Sequence, residues 1–295
     1  MEQFLQFAVT ALALGGVYSL LALGLATVFG LVGFLNFAHG DLMTVCGYTI
    51  FFCLAMSIPF PPAALIGIIA AGLVAVLMER VAFRPLRGRS PMTLLLTTFA
   101  LSLAIHIMFQ VFVGTKPKPI PIPPYLSGYF NVGGIIIARA QVIAIFVSII
   151  CVLGLSAYIT RTRHGNALRA ASEDFGVART LGIPADRMIA SAFLLSGLLA
   201  GVAAILWIAQ RGSVTPTMGL TPMIKALIAV IMGGLSHPKG AIYGGLCLGV
   251  AEAAVLFLAP SEMALYRDAV VLTLLIVFLL FRPNGIVGSN PEPAR

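Results

Sequence analysis

The chain has 295 residues, of which 60% are hydrophobic and 9% charged, with a formal net charge of +8. A soluble domain carries roughly 25% charged residues, so this chain has too little charge to cover a water-facing surface. Its 18 Lys and Arg are spread over short segments between apolar runs, which excludes a basic face for nucleic acid and fits a charge bias between two sides of a membrane.

Lipid admits only helices and closed barrels, because no water is there to satisfy an open backbone. Barrel strands alternate apolar and polar residues. Here the apolar runs are continuous, at 5–32, 42–58, 63–78, 92–113, 140–160, 188–209, 222–235, 241–259 and 264–281. The fold class expected is an all-α polytopic membrane protein with about 8–9 transmembrane helices. The opening MEQFLQFAVT has no positive region before its apolar run, so it is expected to be a first span and not a cleaved leader. Cys46, Cys53, Cys151 and Cys247 all lie inside apolar runs, with no spacing for a disulfide framework or a metal site.

Between the first two runs stands GLVGFLNFAHGDLMTVCG, residues 30–47. Glycines flank Asn36, Phe37, His39, Gly40 and Asp41, and a helix broken there frees backbone groups to meet polar solute. The alternative is an ordinary tight turn. Arg80, Arg84, Arg87 and Arg89 follow the third run and mark a cytoplasmic loop. After the fourth run comes an outer segment, 114–139, with prolines at 117, 119, 121, 123 and 124. It is expected to be extended and not helical, with a small hairpin around Gly133 and Gly134.

The longest cytoplasmic segment is 161–187, RTRHGNALRAASEDFGVARTLGIPADR. Ser172 is placed to cap a short helix at about 172–182, with Glu173 and Asp174 in the first turn, Arg179 in the last, and Gly182 and Pro184 ending it. Phe175, Val177, Ala178 and Leu181 would give that helix an apolar side, as a docking element needs and a solvated connector does not. The basic loops and Arg282 are separated by even numbers of spans, so all three fall on one side and the first residue falls outside.

The seventh and eighth runs are joined by MGGLSHPKGAIYGGLCLGVAE, residues 232–252. Gly233, Gly234 and Ser236 stand in the second half much as 30–47 stands in the first, the pattern of a pseudo-symmetric solute path. The glycines from 240 to 249 also suit close helix packing. Glu252 lies within an apolar run, where an unpaired carboxylate costs roughly 2.5–3.5 kcal/mol. It needs a partner, and His106 and Lys225 are the candidates. A structural hydrogen bond and a role in transport both remain open for it. No G-x-x-x-x-G-K-[ST] phosphate loop occurs, so ATP-driven transport would need ATPases on other chains.

GGVYSLLALGLATVFGLVGFLNFAHGDLM, NALRAASEDFGVARTLGI and MGGLSHPKGAIYGGLCLGVAE resemble the permease subunits of branched-chain amino acid ABC importers of the LivH type, and the resemblance covers nearly the whole chain. It implies one transmembrane permease domain over 1–295, of type II-like importer fold, in a bacterial inner membrane with a cytoplasmic C-terminus. It implies a non-catalytic subunit without cofactor, ATP being used by its partners. Those partners are a second permease, two cytoplasmic ATPases and a periplasmic solute-binding protein. Residues 166–183, with Asn166, Arg169, Ser172, Glu173, Asp174, Arg179 and Gly182, would form the coupling helix. Asn36 to Asp41 and the glycine turn at 233–240 would line or gate the path, and Glu252 joins the path candidates on its place in an apolar run alone. The alternatives are a urea or short-amide permease of the same family, or an ion-coupled transporter using His39, Asp41 and Glu252.

Overall fold

The computed structural model describes residues 2–132, 135–173, 175–234, 238–258, 266–282 and 285–286. Among them, seven helices are long and apolar enough to cross a bilayer, and two shorter apolar helices accompany them. The first, α1 (Glu2–Val32), is apolar all round and is buried along most of its length, as expected of the central helix of a bundle. It packs on α6 (Arg139–Arg161), α9 (Ala185–Arg211), α10 (Leu220–Gly233) and α11 (Pro238–Leu258).

Contacts along the chain give each helix a direction. Thr10 and Gly16 of α1 meet Gln141 and Ser148 of α6, so α1 and α6 run parallel. Ser19 and Gly15 meet Ile242 and Gly249, so α11 runs against α1. The small face of α11 lets it lie between two neighbours: a Cβ on Gly249 would strike the backbone of Gly15, and one on Gly244 would strike the carbonyl of Ala229 on α10. That is the close-packing role expected of small residues in lipid.

The third span, α3 (Phe60–Met78), runs against α9, with Gly72 on Leu194 and Leu198 and Gly201 over Ile68. It continues into one π-turn, Glu79–Phe83. The wider turn puts Phe83 into the bundle between Phe34 and Phe193, with ring centroids 5.3 and 5.6 Å away. The two arginine-bearing loops meet at this end: Arg84 Nη2 donates to Asp186 Oδ2 at 2.7 Å, and Arg87 pairs with both Glu79 and Asp186. The sequence assigns both loops to one side, and the bundle brings them into contact.

At the opposite end, the Pro-rich segment is mostly extended, with β1 (Lys118–Pro119) paired to β4 (Ser213–Val214) beyond α9. β2 (Tyr129–Val132) and β3 (Ile135–Ala138) form an antiparallel hairpin; Gly133 and Gly134 lie outside the described residues. The expectation of no helix here needs one correction. Pro124–Ser127 makes a single helical turn, α5, because proline is well tolerated at the first positions, where its missing N–H has no partner to lose.

The spans α2 (Asp41–Ala55) and α4 (Pro91–Phe112) and the shorter apolar helix α12 (Arg267–Phe281) complete the set, with α7 (Arg163–Glu173) and α8 (Phe175–Thr180) between α6 and α9. Helices α4 and α6 bury little of themselves and leave apolar side chains such as Leu96, Leu103, Phe146 and Ile150 exposed. Lipid or another membrane chain is the covering those faces need.

Candidate translocation site and coupling surface

The break after α1 is folded back into the bundle. Gly33, at φ +70°, ends α1, and the chain returns through Asn36, whose Oδ1 accepts from the Ala38 N–H at 3.1 Å and caps a short turn, Phe37–His39. His39 is buried against Gly24 of α1, and its Nδ1 lies 3.1 Å from Ser196 Oγ, near the middle of α9. α2 therefore begins within the bundle. With the turn before it, it makes the shortest of the seven spans among the described residues, 19 residues over Phe37–Ala55.

Asn36, His39 and Asp41 are all buried. Phe37 stacks on Phe99 of α4, with centroids 4.1 Å apart. Asp41 Oδ1 lies 2.6 Å from His106 Nε2 on α4. Gly40 meets Gly219, the residue before α10, backbone to backbone: a Cβ on either would strike the carbonyl of the other. The N-terminal ends of α2 and α10 thus converge, and both carry free N–H groups and a partial positive charge.

One face of α2 carries Asp41, Thr44 and Tyr48, spaced by three and four residues and so aligned. Asp41 Oδ2, Thr44 Oγ1 and Tyr48 OH are buried with no hydrogen-bond partner among the described residues, as is His39 Nε2. The Tyr48 ring stacks on Phe109 of α4 at 4.5 Å, so this polar row faces the α2–α4 seam. A buried polar atom left unmet costs about 1–3 kcal/mol. A row of them is what a path for water and polar solute groups supplies. Sequence reasoning missed Thr44, Tyr48, His106 and Ser196 as members of this constellation. The spacing of 41, 44 and 48 within an apolar run is the signal that could have found the first two.

The remaining path candidates lie elsewhere. Gly233 sits against Gly240 in the α10–α11 turn, and Gly234 adopts φ +104° beside Gly285; Ser236 lies outside the described residues. The glycine segment that meets 36–41 is the one before α10, at Gly219. Glu252 belongs to a separate buried cluster. Its Oε1 accepts from Lys225 Nζ at 2.9 Å and its Oε2 from Tyr18 OH at 2.6 Å. Lys225 also lies 2.9 Å from Asp268 on α12. Of the two partners the sequence offered Glu252, the structure supplies Lys225, and His106 goes to Asp41.

In the cytoplasmic-type loop the helix starts earlier than the sequence signals suggest. Thr162, not Ser172, is the cap: its Oγ1 accepts from the Gly165 N–H at 2.9 Å. Ser172 lies inside α7 and donates back to the Arg169 carbonyl at 2.7 Å. Ala167, Leu168, Ala170 and Ala171 are good helix formers and carry the helix through it. Arg169 Nη2 donates to Asn166 Oδ1 at 2.6 Å, and Glu173 is exposed. Asp174 and the Arg179 side chain lie outside the described residues. Gly182, at φ +79°, ends the unit as expected.

The unit rests on the bundle through a small apolar cluster of Ala171, Ala178 and Met188, with Leu31, Ala167 and Ile183 packed on it. Leu31 lies in the last turn of α1 just before the break, and Met188 in the first turn of α9, the helix that holds Ser196. Val177 and Leu181 point away, 54% and 73% exposed.

The family described as branched-chain amino acid transport system / permease component matches residues 7–280. The chain is 36% identical to the high-affinity branched-chain amino acid transport system permease protein BraD of Pseudomonas aeruginosa, over 98% of this chain and 97% of that one. It is 32% identical to the corresponding LivH protein of Escherichia coli (strain K12), over 99% and 98%. Among solved structures, PsaBC from Streptococcus pneumoniae in complex with Fab matches with a TM-score of 0.50 at 16% identity, covering 93% of this chain and 90% of that chain. That likeness speaks to the fold alone.

Proposed function

The chain belongs to the branched-chain amino acid transport system permease family, and on that premise we propose that it carries branched-chain amino acids through the membrane along the α2–α4 seam. The observation that carries this reading is the buried break at 33–41. It sets Asp41, Thr44 and Tyr48 in a row with unmet polar atoms and brings the starts of α2 and α10 together at Gly40 and Gly219. The apolar walls suit an aliphatic side chain. The polar row and the two helix N-termini suit the charged ends of an amino acid.

In this reading the permease works beside a second permease, with two ATPases below and a solute-binding protein outside. Closure of the ATPases moves α7 and α8, and the permease alternates between outward- and inward-open states. The link to the path is short: the Leu31–Ala171–Ala178–Met188 cluster joins the loop to the ends of α1 and α9, and those two helices hold His39 between Gly24 and Ser196. Exposed Val177 and Leu181 supply the apolar contact for the ATPase. The arginine-bearing end of the bundle and the C-terminus face the cytoplasm.

Uptake of labelled leucine into proteoliposomes containing the full importer tests the assignment. ATP should drive uptake, and a protonophore should leave it intact. Uptake abolished by the protonophore with ATP present would instead favour proton transfer through the buried Asp41–His106 pair and overturn the reading.

A further inference from the structure

A cavity of about 550 Å³ opens where the end of α3 meets the start of α9, lined by Glu79, Arg80, Arg84, Gly182, Asp186 and Arg187 among others. We propose that this cavity binds the phosphate headgroup of an anionic phospholipid.

The charges do not balance within the site. Glu79 and Asp186 are the two carboxylates, and Arg84 and Arg87 already satisfy them. Arg80 and Arg187 line the same cavity with no carboxylate partner among the described residues. Two guanidinium groups are thus left to face one small space, and a guanidinium is the cation best matched to phosphate oxygens. α9 begins at this wall without a side-chain cap, so its first N–H groups add to the positive potential.

The surroundings decide between a lipid and a water-borne anion. Leu73 and Leu77 on α3 and Val81 on the π-turn that continues it are 60%, 57% and 68% exposed, so they form an apolar stripe that leads to Arg80 and Arg84. A phosphodiester in the cavity with an acyl chain along this stripe uses both features. Free phosphate or an acidic protein segment would use only the first. A basic recess between helices at the membrane boundary is the setting in which anionic headgroups are held. The inference rests on the membrane reading and not on the transport assignment.

Native mass spectrometry of the purified full chain tests it, after equilibration with an equimolar mixture of phosphatidylglycerol and phosphatidylcholine. Phosphatidylglycerol should be retained preferentially, and the double variant Arg80→Gln/Arg187→Gln should lower its retention about tenfold. Arg89→Gln, exposed in the same loop but not lining the cavity, should not change it. Equal retention of both lipids, or unchanged retention in the double variant, would overturn the proposal. So would displacement of the lipid by millimolar inorganic phosphate, which would mark a free-anion site. Loss of ATPase co-purification in the double variant with lipid retention intact would assign the arginines to a protein partner and reject the lipid.

Discussion

Lys225→Met removes the only cation in the cluster of Tyr18, Lys225, Glu252 and Asp268 among the described residues. Lys225 lies 2.9 Å from both Glu252 and Asp268. At that distance, with an effective dielectric near 20, one pair is worth about 6 kcal/mol of gross attraction, most of it offset by the cost of desolvating both ions. The two carboxylates respond differently to losing the ammonium. Asp268 is 53% exposed and can turn to water, for a loss of at most about 1 kcal/mol. Glu252 is 1% exposed and keeps the Tyr18 hydroxyl but loses the ammonium 2.9 Å away, which should cost up to about 3–5 kcal/mol. Denaturant titration in detergent micelles, followed by tryptophan fluorescence from Trp207, measures the difference. The double variant Lys225→Met/Glu252→Leu should recover most of the loss, since no buried charge then remains uncompensated. A double variant no more stable than the single one would refute the argument, because the cost would then lie in packing and not in the loss of the ammonium beside a buried carboxylate.

Gly219→Ala should lower thermal stability by about 1–3 kcal/mol, because its Cβ strikes the carbonyl of Gly40; an unchanged Tm in micelles would contradict that contact. Tyr48→Phe deletes a hydroxyl that is buried and unmet, so stability should hold or rise by up to about 1 kcal/mol while leucine uptake falls; uptake at the parental rate would take Tyr48 off the path. Leu31→Asp sets a charge in the cluster under α7 and α8 and should leave ATP hydrolysis running while uptake falls at least about tenfold; tightly coupled uptake in this variant would count against the route through α1. Gly182→Pro demands φ near −65° where the chain holds +79°, so it should uncouple hydrolysis from uptake with the permease still inserted, and a normal ratio of the two rates is the contrary result.

The membrane helices are legible in the sequence because lipid imposes a coarse rule: apolar residues must run unbroken for about twenty positions. The break at 33–41 is legible for a local reason, since Gly33, Asn36 and Gly40 each disfavour a continuous helix. What crosses between distant segments is less accessible. Lys225 as the partner of Glu252 follows from the α10–α11 hairpin, in which Gly233 lies on Gly240 and Ala229 on Gly244. The same register puts Lys225 opposite Leu248, one turn from Glu252. That register was available once the hairpin was recognised. The meeting of Gly40 with Gly219 had no such signal, because two backbones touch there and no side chain announces it. The glycines of 232–252 carry two readings in the sequence, a counterpart of 30–47 and close packing, and the structure shows the second where Gly244 meets Ala229 and Gly249 meets Gly15. Ser172 failed as a cap for a different reason: a cap residue works only where no helix precedes it, and Thr162 starts one ten residues upstream.

The distances along the helices connect the two sites physically. Leu31 and Gly24 are seven residues apart on α1, about 10 Å, and Met188 and Ser196 are eight apart on α9, about 12 Å. A continuous helix transmits a shift over one or two turns with little loss, since its hydrogen bonds resist stretching and packed interiors move between discrete arrangements. His39 is held by both struts, with Gly24 on one side and Ser196 on the other. Pushing the two helix ends unequally from the apolar cluster must therefore change the space His39 occupies. His39 is joined through Gly40 to the start of α2, where Gly219 and Asp41 also sit. A displacement there alters the α2–α10 contact and the Asp41–His106 pair together. In the proposed mechanism a force applied to the α7–α8 unit would thus converge on the buried His39 and Asp41, while the ion cluster around Glu252 ties together α1, α10, α11 and α12.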